Sequence, residues 1–534
     1  MAQSVVVTEA QPREALRATR SAAGATGKWS IAIAVALGAL LEVVDTSIVN
    51  VALTDMQNTL GATLSEVSWV VSGYAVANVI VLPLTAWLGD RFGKKRYFIF
   101  SLVGFTLASI MCGLATTLPM LVIARVLQGL MGGGLLAKAQ AILFETFPKE
   151  EQGVAQAFFG AIVIAGPAIG PTLGGYLVTN IGWRWIFFVN VPLGILAVLM
   201  CQASLKPDSE QKNTSRIDWI AILMLATGLG CLQTFLEEGN SEDWFESRLI
   251  IALCSIAVVS LVAFVFRQLK SKNPVVDLRV LRYRSLWAGS ILSVVVGMAL
   301  YGTLFAVPIF AQTLMHYTSQ ETGLLLLPSA IASAVTMIGA GQIIRKIDSR
   351  LALVTGACIL VFAVYQISNL TSQTGVDDFF WPLIIRSVGT VAMFLPLNMA
   401  TLGPIPKHDI AKASGFFNLT RQLGGSVGVA LLTLLLSQRQ AFHRAVLVEK
   451  MPLGDPGLAD RLHALTGAFM AKGALLVDAQ NQALSSLNGI VNREALVMSF
   501  NDTFLATGAV ILLFLPLVLL LGKVDKNVKV DAGH

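Results

Sequence analysis

Apolar residues in this chain fall in blocks of roughly twenty, the number a helix needs to cross about 30 Å of hydrocarbon. Short breaks carrying charge, proline or glycine separate the blocks. Lipid offers the backbone no hydrogen-bond partner, so each block must satisfy its own amides as a helix. The pattern predicts fourteen spans, of which the first six cover residues 30–52, 67–88, 97–117, 119–144, 154–178 and 185–205. The seventh and eighth fall at 218–237 and 248–268, and the last six at 286–312, 322–344, 351–371, 380–403, 412–436 and 503–522. The long stretch before the last span reads as an outer loop with an amphipathic helix through Leu462, Leu465, Phe469 and Leu475.

Composition sharpens this picture. Of the 534 residues, 55% are hydrophobic and 13% charged, against roughly 25% charged in soluble domains. The net charge of +6 has a topological cause. The cluster Arg267, Lys270, Lys272, Arg279, Arg282 and Arg284 falls on the same side as Arg13, Arg17, Arg20 and Lys28, whereas Glu237, Glu238, Glu242, Asp243 and Glu246 fall opposite. Basic loops stay in the cytoplasm, which predicts both termini inside a multi-pass protein of the cell inner membrane. The first block lacks a small-residue cleavage site and reads as a retained helix. No aromatic interleaving in the basic loops suggests nucleic acid. The five cysteines and five histidines form no ligand spacing, so no metal site is expected.

Phe147-Pro148-Lys149 and Phe158-Phe159 recur, at one shared offset, as Ile405-Pro406-Lys407 and Phe416-Phe417. Both copies fall around the junction of a fourth and a fifth span of six. The chain is therefore expected to be an all-α membrane protein of two pseudo-symmetric six-helix bundles, residues 30–205 and 286–522, the second including an outer loop over 437–501. An inserted helix pair with a basic linker occupies 206–285, and tails occupy 1–29 and 523–534. Parallel repeated halves build a cavity at the membrane midplane.

Charged residues inside apolar blocks carry the candidate chemistry. Glu42 and Asp45 sit near the middle of span one, where an ionised carboxylate costs roughly 2.5 kcal/mol or more. Each must face a cavity, pair with a cation or hold a proton. That makes both candidates for proton coupling, with a permanent ion pair as the alternative. Arg125 of span four cannot lose its proton and could hold Asp45 ionised in one state. Lys138 could neutralise Glu42, face the cavity, or reach the interface by its long stem. Asn50, Gln128, Arg386 and Asn398 complete the candidate cavity lining, Arg386 as the second half's counterpart of Arg125 or as a structural tie.

Gly166, Gly170 and Gly174, beside Gly175 and flanked by Pro167 and Pro171, give span five a face that another helix can approach closely. The prolines add bendability. Asp90, Arg91, Gly93, Lys94 and Arg96 form a charged tight turn after span two, a candidate gate in which Asp90 meets a helix N-terminus or a cation of the other half. Apparent enzyme motifs dissolve on inspection. Gly424-Gly425-Ser426-Val427-Gly428 lies in an apolar helix with no strand before it. The glycines at 132–134 lack a β-α-β setting. Lys95 stands where a phosphate-binding loop needs Ser or Thr, so ATP is not the expected energy source.

Together these residues resemble the fourteen-helix drug:proton antiporter branch of the major facilitator superfamily, of the EmrB type. Leu41–Leu53, Trp87–Arg96, Arg125 with Gln128 and Gly129, Gly166–Gly175, Trp183–Phe187 and Asn190-Val191-Pro192 look like that branch's motifs. Ala86, Thr54 and Lys138 depart from its pattern. The resemblance implies a secondary transporter rather than an enzyme. It would export hydrophobic or amphipathic compounds by alternating access, driven by the proton gradient with no cofactor, together with a periplasmic adaptor and an outer-membrane channel. The rival readings are a dedicated exporter of a siderophore, fatty acid or lipid, and a non-transporting sensor or scaffold.

Overall fold

The computed structural model describes residues 11–208, 217–343, 347–452 and 456–521. The tail at 523–534 and the first ten residues lie outside the described residues. The described chain is helical, and fourteen of its helices are long and apolar enough to cross a membrane. In chain order, spans one to seven are Gly27–Leu60, Ser65–Phe92, Lys94–Gly113, Leu118–Thr146, Lys149–Asn180, Trp185–Ser204 and Trp219–Glu238. Spans eight to fourteen are Arg248–Lys270, Arg284–Thr313, Gln320–Ile343, Ser349–Ile367, Val376–Leu402, Ile410–Glu449 and Leu476–Leu520. The face from which span one departs is termed the terminal face, and the other the far face.

Local chemistry sets the helix ends. Thr63 caps span two in a reciprocal box with Glu66. Asp218 caps span seven and also pairs with Arg267, at 2.9 Å, in the last turn of span eight. That ion pair ties the inserted helices at the terminal face. Pro83 converts Leu82–Leu84 to a tighter 3-10 turn within span two. Span four breaks into Leu118–Gly132 and Leu135–Thr146, and Gly134 takes φ +85° at the break. A side chain there would meet Thr85, and one on Gly133 would come within 2.9 Å of Val81 Cβ. The glycines thus let span four cross span two at close range, which is the structural use of Gly133 and Gly134 within the run at 132–134.

Spans one to six pack around one set of apolar contacts and spans nine to fourteen around another. The halves meet along spans five and ten, which run antiparallel from Gly175 against Gln320 to Gly341 against Ala157. They meet again at the terminal face, where the second part of span four packs on span thirteen. Span seven lies against both span two and span thirteen. Span eight is the outermost helix, with Val258, Val259 and Phe266 exposed as a lipid-facing surface requires.

The stretch read from sequence as an outer loop is built differently. Span thirteen continues unbroken to Glu449, 40 residues in all, about 60 Å at 1.5 Å per residue. A separate helix, Pro456–Ala471, follows, and the last helix begins at Leu476. Half of this stalk's length lies beyond the hydrocarbon. Asp502 fixes its base, accepting from Arg439 Nε at 2.5 Å and meeting His443 Nε2 at 2.7 Å. Hydropathy could not reveal a helix that leaves the membrane, because its polar continuation looks like loop.

Candidate functional site

Span one enters the first half on the glycine face of span five. A Cβ on Gly166 would lie 2.7 Å from Val43 Cγ1, and one on Gly174 would lie 2.7 Å from Ile48 Cγ1. Gly170 receives Ser47 in the same way. The three glycines therefore seat span one within its own half, whereas Gly175 faces span ten across the halves. Pro167 and Pro171 lie inside the span-five helix, which runs unbroken through them.

This seating buries Asp45 completely, at 0% exposure. Its Oδ2 takes Arg125 Nη1 at 2.6 Å, and its Oδ1 accepts from Gln128 Nε2 and Asn190 Nδ2, each at 2.8 Å. Arg125, 1% exposed, also donates from Nε to the Val70 carbonyl at 2.8 Å and from Nη1 to Gln128 Oε1 at 2.9 Å. Its guanidinium lies 4.3 Å from the centroid of the Tyr74 ring. Arg125 and Gln128 share one helix face at i, i+3, so span four delivers both to the same carboxylate. Asn190 is itself placed by Ser109 Oγ at 3.1 Å. One carboxylate therefore gathers spans two, three, four and six around span one.

Glu42 occupies a different environment. It is 8% exposed and accepts from Asn78 Nδ2 at 2.8 Å and from the Leu136 amide at 2.9 Å. Leu136 stands in the first turn after the glycine break, so the restarted helix supplies an amide that an unbroken helix would have used internally. Glu42, Thr46, Asn50 and Thr54 recur every fourth residue on one face of span one. Thr46, Asn50 and Thr54 are exposed. Such a stripe is costly against lipid, and it runs from the far-face end of span one down to Glu42.

Lys138 does not pair with Glu42. Its ammonium lies over the Tyr97 ring and 3.3 Å from Ser101 Oγ, both on span three. The helix restart after Gly134 turns it toward the terminal face, where it borders a small cavity of about 30 Å³ with Asp90, Lys94 and Glu145. Gln128 serves the Asp45 cluster and does not line a separate surface. Arg386 is buried in span twelve. Asn398 accepts from Gln140 Nε2 at 2.6 Å, and Gln140 Oε1 in turn accepts from Asn418 Nδ2 at 2.7 Å. Span four is thereby locked to spans twelve and thirteen beneath the midplane.

The gate residues divide. Lys94 pairs with Glu145 at 2.7 Å within the first half. The N-terminus of span three is met by Asp208, which accepts from the Lys95 amide at 2.8 Å and the Arg96 amide at 3.1 Å. Gly93, at φ +94°, makes that approach possible, since a side chain would collide with the Asp208 carboxylate. Asp90 thus does not cap this helix. It borders a cavity of about 230 Å³ with Lys412, which bonds instead to Asp277 at 3.1 Å and Asp409 at 3.3 Å. Arg91 lies over the Trp87 ring. The tie between halves at this level runs from Lys407 Nζ to the Glu145 carbonyl, at 3.0 Å.

Sequence reasoning did not single out Tyr74, Asn78, Gln140 or Arg421, nor Asn190 as a partner of Asp45. Arg421 carried the signal used for Arg125, a cation inside an apolar block. It is buried beside Phe394 and donates to Asn418 Oδ1 at 2.5 Å.

A family model described as the Major Facilitator Superfamily matches residues 35–429. The multidrug export protein EmrB of Escherichia coli (strain K12) is 33% identical over 488 residues, covering 91% of this chain and 94% of that protein. The fatty acid resistance protein FarB of Neisseria gonorrhoeae is 31% identical, covering 93% and 96%. The colistin resistance protein EmrB of Acinetobacter baumannii is 30% identical, covering 89% and 92%. Among solved structures, a double-tryptophan mutant of XylE aligns with TM-score 0.60 and 12% identity over 94% of this chain and 97% of that one. The human organic anion transporter MFSD10 aligns with TM-score 0.54, also at 12% identity, over 91% and 99%. At these identities the structures speak for the fold alone.

Proposed function

The chain belongs to the major facilitator superfamily, and from that premise we propose that it is a proton-coupled antiporter that exports hydrophobic or amphipathic compounds by alternating access. The observation that carries this reading is the Asp45 cluster: a carboxylate in mid-span, fully buried and facing a guanidinium that cannot itself release a proton. Protonating Asp45 removes one member of a buried ion pair and leaves Arg125 uncompensated. The proton and the helix arrangement are therefore thermodynamically linked. With the terminal face closed by Gln140, Asn398 and Lys407, the polar stripe of span one opens toward the far face. Proton entry from that side and departure of cargo would share this route.

The relatives' names favour chemically varied cargo. FarB's name keeps fatty acids among the cargo to be tested. The distribution of basic loops supports a cytoplasmic terminal face in an inner-membrane protein, and the proposed antiport takes the proton gradient as its energy source. The stalk then projects into the periplasm, where it offers a surface to an adaptor connected to an outer-membrane channel.

Reconstituted protein under an inward-acid gradient tests the reading. Hydrophobic dyes, cationic drugs and fatty acids are expected to discharge the gradient in wild type and not in Asp45→Asn. Wild-type vesicles that move no protons with any of these compounds would overturn it and leave the sensor or scaffold reading.

A further inference from the structure

The inserted helices have no counterpart in the internal repeat, yet the far end of span seven is hydrogen-bonded to both halves. Gln233 is fully buried and donates from Nε2 to Ser426 Oγ of span thirteen at 2.8 Å. The same nitrogen donates to Glu237 Oε1, one turn along, at 2.6 Å. Ser72 of span two donates to Glu238 Oε1 at 3.0 Å. Span two thus faces this seam with a hydroxyl, span thirteen with a hydroxyl, and span seven with an amide and two carboxyls. The turn Trp244–Glu246 covers it with Trp244 and Phe245 packed on Phe235.

The seam is short of donors. Glu237 Oε2 and Gln233 Oε1 are both shielded from solvent without a hydrogen-bond partner, and the one nearby hydroxyl that also acts on Glu237, that of Ser72, is bonded to Glu238. The charged group acting on Glu237 is Glu238, of the same sign. A buried acceptor without a donor costs about 1–3 kcal/mol, and more when charged. One added proton turns the empty oxygen of Glu237 into a donor, in a seam where the amide oxygen of its hydrogen-bonded neighbour Gln233 also lacks one.

We propose that Glu237 is a second proton-binding carboxyl, protonated at the seam of spans two, seven and thirteen while the terminal face is closed, and deprotonated to water when span thirteen draws away from Gln233. The inference rests on the antiport reading above and extends it to the inserted helices. The Gln233–Ser426 bond joins span seven to span thirteen while Glu238 holds span seven to Ser72 of span two, so separating the halves at this level would break one of the two. Occupancy of Glu237 then favours one arrangement over the other by linkage.

Infrared spectra of the full-length protein in lipid nanodiscs at neutral pH read the proton directly. The band of a protonated carboxyl group is expected in wild type and Asp45→Asn, and one component of it, distinct from any due to Glu42, is expected to be lost in Glu237→Gln. In proteoliposomes, Glu237→Gln is expected to move fewer protons per cargo molecule and to flatten the pH profile of export. An unchanged band in Glu237→Gln overturns the proposal, as does an unchanged proton count. If wild type exchanges no protons for cargo, the antiport reading fails and the infrared band still decides Glu237. Should Glu237→Gln fail to fold, Glu237→Asp must displace the band, and an unmoved band is equally fatal.

Discussion

Gln140 and Asn398 are joined by a 2.6 Å hydrogen bond and stand 258 residues apart, the same offset that relates Phe147-Pro148-Lys149 to Ile405-Pro406-Lys407. Equivalent residues of the two halves therefore touch, which places the bond on the pseudo-two-fold axis between them. The same offset aligns Arg386 with Gln128, one turn from Arg125 and on the same helix face. That axis runs along the membrane normal, so when the halves rock apart about a line in the membrane plane the two ends of this bond separate symmetrically.

Gln140→Ala is expected to weaken closure of the terminal face. It deletes the bond to Asn398 and those from Asn418 and Ser414, leaving buried groups unpaired at about 1–3 kcal/mol. Spin labels on the ends of spans four and thirteen should show a larger open population. Asn398→Ala combined with Gln140→Ala should cost less than the sum of the two, since they share a bond.

Arg125→Ala strips the cation from a carboxylate that has no exposed surface, and should lower stability by about 3–5 kcal/mol. Arg125→Lys keeps the charge but cannot reach the Val70 carbonyl, Asp45 and Gln128 together. It should fold better than the alanine variant while still losing proton exchange. Thermal unfolding in detergent and proton flux in vesicles separate the two effects.

Gly174→Ala and Gly175→Ala, one residue apart, should behave differently. The first pushes a methyl onto Ile48 within one half and should destabilise the protein by about 1–3 kcal/mol. The second meets the backbone of Gln320 in the other half. It should shift the balance between the two access states more than the unfolding temperature, which labelling of a cysteine at position 50 would report.

Asp409 supplies a pH dependence outside the spans. Burial alone would raise its pKa, but the hydroxyl of Tyr283 at 2.9 Å and the ammonium of Lys412 hold it below the ordinary carboxylate value. A depressed folded pKa means that its contribution is complete above the unfolded value, about 3.9, and disappears as pH falls through the lower folded one. The Asp277–Lys412–Asp409 tie should thus be unaffected between about pH 5 and 8. Tyr283→Phe should move the acid loss of this tie, which holds the linker before span nine to the start of span thirteen, to higher pH, as read by spin labels on the linker and on span thirteen.

The sequence by itself determined the spans, their number and the mid-membrane position of both acids. Each depends on local composition: twenty apolar residues must be helix in lipid, and a carboxylate twelve residues into such a helix has to lie at depth. Repeat and motif residues made the family legible for the same reason. Tertiary structure alone decided which donors surround Asp45, because Arg125, Gln128 and Asn190 come from helices far apart in the chain and sequence spacing cannot rank them. It also decided that Glu42 takes a backbone amide, since the break at Gly134 depends on the crowding of Thr85 and Val81 from span two. The stalk was hidden for a related reason: beyond the hydrocarbon, the apolar pattern that marks a membrane helix is no longer required, and only packing between helices keeps spans thirteen and fourteen continuous.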